Sequence, residues 1–396
     1  MTIRHLHVPH IKTALLSLLL LAALSADISA QLFAPPGKGF TIDLPVGFEC
    51  VQQDPDGNGY LFSYNMLPVT LIIKLYDKGA CRDAAGAAAT ALGKLRARYE
   101  TAVMQWNGAE CAISSFSMTL PGSETGQEGW AAAAPLPNES GWLTAICYAD
   151  QDRTWYCARA INSALDSLCI GEAGRRTPGI MTSFAFPGTG KKEVTLTIHG
   201  KKVKSAVGSD DAEANKYVVE REYAILTLYA RNKNWLEAWR RYYRMIHRDA
   251  CRRTARLAAD IYKTLYPAAV KADSKNPDME YIRQLLSWIQ EFSYVRDPQN
   301  ADFTDIVSCA TGSPSDCDSR SLLLCILAEH AGIQSALFIS REYSHAIAGL
   351  ALSAGGAKIT VNGTAYLLAE TTAKVDPGLV AQDMSDESKW IAVELP

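Results

Sequence analysis

The sequence predicts an α+β protein, and three observations carry that prediction. Residues 31–188 alternate strand-like runs with one Ala-rich helical run. Residues 212–297 read as helix, and from residue 313 onward one apolar helix precedes strands joined by tight-turn signals.

The chain has 396 residues, enough for two or three domains, with 48% hydrophobic and 20% charged residues, as in a globular protein with a sizeable core. A net charge of −3 gives no electrostatic case for nucleic acid as a partner. Residues 1–30 read as an export leader: Arg4 and Lys12 precede the short apolar run "ALLSLLLLAAL" (14–24), and Ser25, Ala26, Ser29 and Ala30 supply a cleavage region near Ala30. An uncleaved membrane anchor is the alternative. The expected location is the periplasm or the exterior. Removing residues 1–30 takes away Arg4, Lys12 and Asp27, so −3 becomes −4, and leaves His199, His247, His330 and His345. Ten cysteines in an exported chain predict some disulfides. The best local pair is Cys147 with Cys157, on "WLTAICYA" and "TWYCARA" read as strands around the turn "DQDR".

Within 31–188, "FTIDLPVGF" and "VTLIIKLYD" alternate as strands, "DAAGAAATALGKLRARYE" (83–100) reads as a helix, and "GAECAISSFSMTL" and a hairpin at 143–160 add further strands. No catalytic grouping of titratable side chains occurs there, which suits a binding or positioning domain. The segment 189–211 reads as a linker carrying one strand, "EVTLTIHG"; "GTGKK" at its start lacks the upstream glycine and the Lys-Ser/Thr ending of a phosphate-binding loop. The helical middle carries a stripe of Trp235, Trp239, Tyr243, Ile246 and Ala250, spaced for burial. On another face Arg240, Arg244, Arg248 and Arg252 recur every four residues. That ladder suits an anionic polymer or lipid headgroup, or else an ion-paired helix face.

Chemistry concentrates at "SPSDCDSRSLLLCILAEHAGI" (313–333). Cys317 there could be a disulfide partner (Cys309 lies eight residues earlier), a buried filler or a nucleophile. Ser313 and Asp316 fit a capping pattern, Pro314 suits a first turn and Gly332 closes the run, so Cys317 falls in the first helical turn. The helix dipole there favours a thiolate, and the unpaired N–H groups suit a developing oxyanion. Leu322, Leu323, Ile326 and Leu327 form the core face, with Cys325 packed and inert among them. A thiol nucleophile needs a base. His199, His247 and His330 sit in the linker, in the arginine helix and at the far end of the Cys317 helix. His345 instead opens the strand "HAIAGLALS". After Gly355-Gly356, "KITV", Asn362-Gly363 and "TAYLLAETT" predict a hairpin that brings Glu370 back beside His345. Nucleophile, base and orienting carboxylate then follow in the order Cys317, His345, Glu370. No H-E-x-x-H, C-x-x-C or G-x-S-x-G occurs, so neither a metal, a cofactor nor a serine mechanism is expected. Asp316 and Asp318 read as helix caps or as contacts for a substrate amine.

Together, "SDCDSRSLLLCILAEHAGI", "SHAIAGLAL" and "AYLLAETT", with the helix "IRQLLSWIQEFSYVRD" (282–297) ahead of them, resemble the core of the transglutaminase-like superfamily over roughly 282–396. The resemblance implies a papain-like core, a Cys-bearing helix packed on an antiparallel sheet, extending with its helical lead-in over 212–396. It implies Cys317 as nucleophile, His345 as general base and acid, and Glu370 as orienter. Ser315 stands where the family commonly has Gly, and Glu370 where Asp is more widespread. The implied activity is that of a cysteine peptidase or amidase acting on proteins or cell-wall peptides. A crosslinking acyltransferase and a non-catalytic scaffold of the same fold are the alternatives. Gln290 and Tyr294 are candidates for an oxyanion site. At the other end, "GFTIDLPVGFE" resembles the start of PsbP/Mog1/DcrB-like domains.

Overall fold

The computed structural model describes residues 32–297 and 301–396, so the leader expected over 1–30 lies outside the described residues. The fold is α+β. No helix among the described residues is long and apolar enough to cross a membrane.

Strands β1 (Phe40–Ile42), β2 (Phe48–Gln53), β3 (Gly59–Tyr64) and β4 (Val69–Asp77) precede helix α1 (Ala84–Lys94). Then come β5 (Arg98–Trp106), β6 (Ala109–Thr119), β7 (Gly126–Pro135), β8 (Gly141–Asp150), α2 (Thr154–Asp166), β9 (Leu168–Ile170) and α3 (Ile180–Ala185). Seven of the strands form an antiparallel sheet ordered β2-β3-β4-β8-β7-β6-β5, and β1 pairs with β9. Alternation along β7 and β8 explains how one helix covers each face. Ala131 and Ile146 pack with Ala91 and Leu92 of α1. Their neighbours Ala132, Ala145 and Cys147 pack with Cys157, Ala160, Ile161 and Ala164 of α2.

Two sequence expectations fail here. The helix read over 83–100 ends at Lys94, because Arg96 takes a left-handed φ of 53° and Arg98–Trp106 pairs with β6 as an edge strand. "TWYCARA" is the start of α2 rather than a strand. Buried Cys157, Ala160, Ile161, Ala164 and Leu165 recur with helical spacing, and covering the sheet outweighs the local strand propensity of Trp and Tyr. The expected Cys147–Cys157 pairing therefore loses its hairpin. All ten cysteines lie in the described residues, and none is in a disulfide.

The expected linker is a hairpin, β10 (Lys191–Ile198) and β11 (Lys201–Gly208), turned by His199 and Gly200 at φ 49° and 74°. Its buried Leu196, Ile198 and Val203 join the core of the second half. Helices α4 (Asp211–Thr227), α5 (Trp235–Ala272), α6 (Pro277–Ile289), α7 (Ile306–Ala310) and α8 (Cys317–His330) follow. Strands β12 (Ser335–Ser340), β13 (His345–Leu350), β14 (Lys358–Val361), β15 (Thr364–Ala369) and β16 (Ile391–Glu394) form an antiparallel sheet ordered β14-β15-β13-β12-β16. One face, with Leu337, Ile339, Ala346 and Ala348, takes Leu322, Leu323 and Ile326 of α8. The other buries Phe338, Ile347, Tyr366 and Trp390. Asn362 and Gly363, at φ 48° and 83°, make the β14–β15 turn that the dipeptide predicts.

The helix expected over 282–297 stops at Ile289. Beyond it the backbone is drawn into pairing with the approach to α8: Ser315 N donates to Ser293 O at 2.9 Å and Val295 N to Ser315 O at 3.3 Å.

Helix α5 joins the two halves. In the arginine ladder, Arg244 grips both carboxylate oxygens of Asp43 at 2.8 and 2.9 Å. Burial alone would raise the Asp43 pKa, but Arg244, Arg241 and Arg248 hold it below the usual value. Arg248 is buried and donates to the carbonyls of Asp166, Leu168, Gly174 and Thr177. Arg240 meets Glu237 and the Ala392 carbonyl, while Arg252 is exposed. Three rungs thus tie α5 to neighbouring segments.

Candidate active site

Helix α8 begins where an aspartate can cap it. Asp316 is extended (φ −94°, ψ 179°) and its carboxylate accepts from Ser319 N at 2.9 Å, Ser319 Oγ at 2.6 Å and Thr304 N at 2.8 Å. The cap is therefore Asp316 itself, with neither Ser313 nor Pro314 inside the helix. Ser315 has no positive φ, and its Oγ accepts from Arg320 Nε at 3.1 Å. A serine is consequently accommodated at this position. Cys317 is the first residue of α8, as expected, and is 3% exposed.

His345 opens β13 and Glu370 directly follows β15. The antiparallel register sets Ala348 opposite Ala369, which returns Glu370 toward the start of β13. Glu370 Oε2 meets His345 Nε2 at 2.7 Å, while its Oε1 accepts from Thr372 N and Oγ1 at 2.7 and 2.6 Å. A carboxylate held by these bonds fixes the orientation of the His345 ring. With the proton on Nε2, Nδ1 is the basic nitrogen. Ser321 of α8 donates to Ala346 O at 3.1 Å and contacts Thr371 Oγ1 at 3.1 Å, which seats the helix across the His345 end of β13. The Ala346 N–H is within hydrogen-bonding reach of the Cys317 sulfur. The fold thus brings Cys317, His345 and Glu370 into one neighbourhood.

The protonation state departs from the sequence expectation. Burial pushes the Cys317 thiol up to about 12, Asp318 and Asp316 add to the shift, and the Ala346 N–H and Arg296 only partly offset it. Desolvation and two flanking carboxylates outweigh the helix terminus. Asp318 is itself pushed up to about 7, first by burial and then by Asp316; its partner is the Tyr243 hydroxyl, which donates at 3.1 Å. Burial also works against ionisation of Glu370, but the His345 and Thr372 bonds hold it below the ordinary glutamate value.

Other expected partners separate. Gln290 Nε2 donates to the Glu370 and Val375 carbonyls at 2.8 and 2.9 Å, so it pins the segment after β15 and has no oxyanion role. Tyr294 is 51% exposed and its ring lies 5.3 Å from the Arg320 guanidinium, and burial together with the nearby Cys317 raises its pKa. His199 meets Gln284 O, His330 meets Cys251 O and His247 meets Glu329; among the described residues, His345 is the histidine on the strand against which Ser321 seats α8. Cys309 is buried and unpaired, so the alternative Cys309–Cys317 bridge is not formed. Tyr243 and Trp390 are contributors the sequence did not single out for the site. The burial stripe on α5 contained Tyr243, but nothing local tied it to Asp318. Trp390, whose ring centre lies 6.3 Å from that of His345, follows a stretch with no motif.

No protein-family model matches the chain, and no curated protein sequence matches it. Among solved structures, the cyanobacterial PsbP (CyanoP) of Synechocystis is similar at 12% identity over 38% of this chain and 98% of its own, with a TM-score of 0.29. The Ran-binding protein Mog1p of Saccharomyces cerevisiae is similar at 10% identity over 35% of this chain and 94% of its own, with a TM-score of 0.28. A protein of Bacteroides thetaiotaomicron aligns at 9% identity over 91% of this chain and 94% of its own, with a TM-score of 0.20. At these scores none of them assigns a fold to the chain.

Proposed function

We propose that the chain is an exported, transglutaminase-like thiol enzyme that hydrolyses amide bonds of proteins or cell-wall peptides. The observation that carries the reading is the 2.7 Å bond between His345 Nε2 and Glu370 Oε2, formed at the end of β13 on which α8, with Cys317 as its first residue, is seated by Ser321. Because the resting thiol is neutral, His345 Nδ1 removes the thiol proton as Cys317 Sγ attacks the carbonyl carbon. The oxyanion that forms faces the first-turn N–H groups of α8 that Asp316 has not taken. Proton return from His345 releases the amine and leaves a thioester on Cys317. Water activated by His345 then releases the acid. An amine in place of water would give transamidation from the same thioester.

The test is a screen of peptide amides and cell-wall peptides with the purified chain beside Cys317→Ser. Turnover that vanishes in the variant supports the reading, and turnover that survives it sinks the reading. The 3% exposure of Cys317 favours a second reading, a scaffold with the same fold. A scaffold would form no acyl-enzyme with any amide or ester tested.

Asp318 gives a further check. Asp318→Asn removes a carboxylate that works against the thiolate, so alkylation of Cys317 at neutral pH should quicken, roughly tenfold for each unit by which its pKa falls. The raised Asp318 pKa also has a definite stability sign. Its contribution favours the folded state below the ordinary aspartate value of 3.8 and is lost as pH rises toward about 7. The variant should therefore flatten the fall in stability across that window in pH-dependent urea unfolding. An unchanged labelling rate would mean that Asp318 does not govern the thiol.

A further inference from the structure

A cavity of about 530 Å³ opens where the two halves of the chain meet along α5. Pockets that hold small organic ligands have this size and concentrate at such boundaries. Three parts of the chain wall it: Thr41 and Asp43 come from the first half, Arg240 and Arg244 from α5, and Ala392 and Glu394 from β16. It shares no lining residue with the site around Cys317.

Arg240 and Arg244 are four residues apart, so they are neighbours on one face of α5. Each is only partly spent. Arg240 gives Nε to the Ala392 carbonyl at 3.0 Å and Nη1 to Glu237, while Arg244 gives Nε and Nη2 to Asp43 at 2.8 and 2.9 Å. Arg240 Nη2 and Arg244 Nη1 meet no acceptor among the described residues, and the two side chains are 32% and 23% exposed. Arg248 lines the same cavity and gives Nε, Nη1 and Nη2 to main-chain carbonyls, so its charge has no carboxylate in direct contact. The lining also has polar capacity left over. Glu394 takes one bond, from Asn362 Nδ2 at 2.9 Å, and the buried Thr41 hydroxyl has no partner among the described residues. Met245, Val361 and Leu395 add apolar wall.

We propose that this cavity binds the carboxyl-terminal end of a short peptide. Its carboxylate takes charge-assisted hydrogen bonds from Arg240 Nη2 and Arg244 Nη1. Glu394 accepts a peptide N–H, the Thr41 hydroxyl donates to a peptide carbonyl, and an apolar side chain packs on Met245, Val361 and Leu395. A fatty acid would satisfy the arginines but would set its alkyl chain against Glu394 and Thr41, which costs free energy because polar groups are then desolvated without partners. An inorganic anion would leave most of the cavity unfilled. Pro396 lines the cavity as well, but its oxygen accepts from Arg176 Nε at 3.1 Å, which leaves Arg240 and Arg244 for a separate ligand. The site stands independently of the proposed activity.

The experiment is calorimetric titration of the full chain carrying Cys317→Ser, so that no thiol chemistry consumes the probe. The probes are acetyl-Ala-Leu as the free acid, the same peptide as its amide, and decanoate. The expected result is one acid bound per chain, with the amide at least about tenfold weaker, since charged hydrogen bonds carry that difference. The acid should also raise the melting temperature, because it ties three parts of the chain together. Arg240→Gln should weaken the acid about tenfold and leave the amide unchanged. Thr41→Val should weaken the acid several-fold without lowering the melting temperature of the unliganded chain, because the hydroxyl it removes has no partner. Equal binding of acid and amide, no binding of the acid at millimolar concentration, or wild-type affinity in Arg240→Gln overturns the site. Decanoate binding tighter than the peptide acid overturns the peptide as occupant. The acid-to-amide ratio decides the matter even if a variant fails to fold.

Discussion

Changing His345 to Ala should lower the turnover of an amide substrate by about 10²–10⁴-fold. The effect is large because burial and two carboxylates keep the Cys317 thiol protonated, so attack requires a group that removes the proton as the bond forms. The His345 side chain is 11% exposed, enough to meet substrate while Glu370 fixes its other nitrogen. Glu370→Gln keeps an oxygen that accepts the ring N–H and should retain more activity than Glu370→Ala. The pH sign follows from the depressed Glu370 pKa. Its bond to His345 is intact above the ordinary glutamate value and is lost as pH falls through the lower folded value, so activity should fall on that acid side. Circular dichroism of each variant checks the fold, and kcat/KM reads the chemistry. A decrease smaller than about tenfold in His345→Ala would remove it from the reaction.

Asp166→Ala should destabilise the chain by about 3–5 kcal/mol, the range for removing one partner from a buried charge pair. Asp166 and Arg221 are each 1% exposed and meet at 2.5 Å. The same carboxylate accepts from Met181 N at 2.6 Å and Thr182 N at 3.0 Å, and also from the Thr182 hydroxyl. Its loss leaves Arg221 with Glu222 and strips the start of α3 of its acceptor. Glu222 is already shared with Arg241, so it cannot compensate without weakening the tie between α4 and α5. Gly179 is a second probe of the same packing: a Cβ there would lie 2.2 Å from the Asp166 carboxyl carbon, so Gly179→Ala should destabilise as well. Urea unfolding followed by linear extrapolation measures both. A change below about 1 kcal/mol in Asp166→Ala would mean that solvent or an anion replaces the carboxylate beside Arg221. The double variant Asp166→Leu with Arg221→Met should recover much of the loss, since no isolated charge then remains buried.

Legibility differed along the chain for physical reasons. Where one residue type enforces a local geometry, the sequence was readable. Asn362-Gly363 tolerates positive φ and turned the hairpin, and Asp316 beside an apolar run began α8. Where two geometries have similar local energies, packing chose. "TWYCARA" carries strand-favouring aromatics, but its small and apolar residues recur at helical spacing and the β-sheet needed a cover. "SYVRD" could have continued α6, but Ser293 and Val295 found backbone partners at Ser315.

The sequence by itself determined the α+β class, the placement of Cys317 and His345 at the starts of a helix and a strand, and the return of Glu370 through a tight hairpin. Those features depend on side-chain periodicity and on turn residues, which act over a few positions. Only the tertiary structure decided that the thiol is neutral, that Arg244 and Arg248 bind α5 to the first half, and that His247 meets Glu329. Each of these depends on burial or on charges contributed by segments far apart in the chain. Desolvation and electrostatic energy are set by what surrounds a group in space, and no spacing along the sequence encodes that.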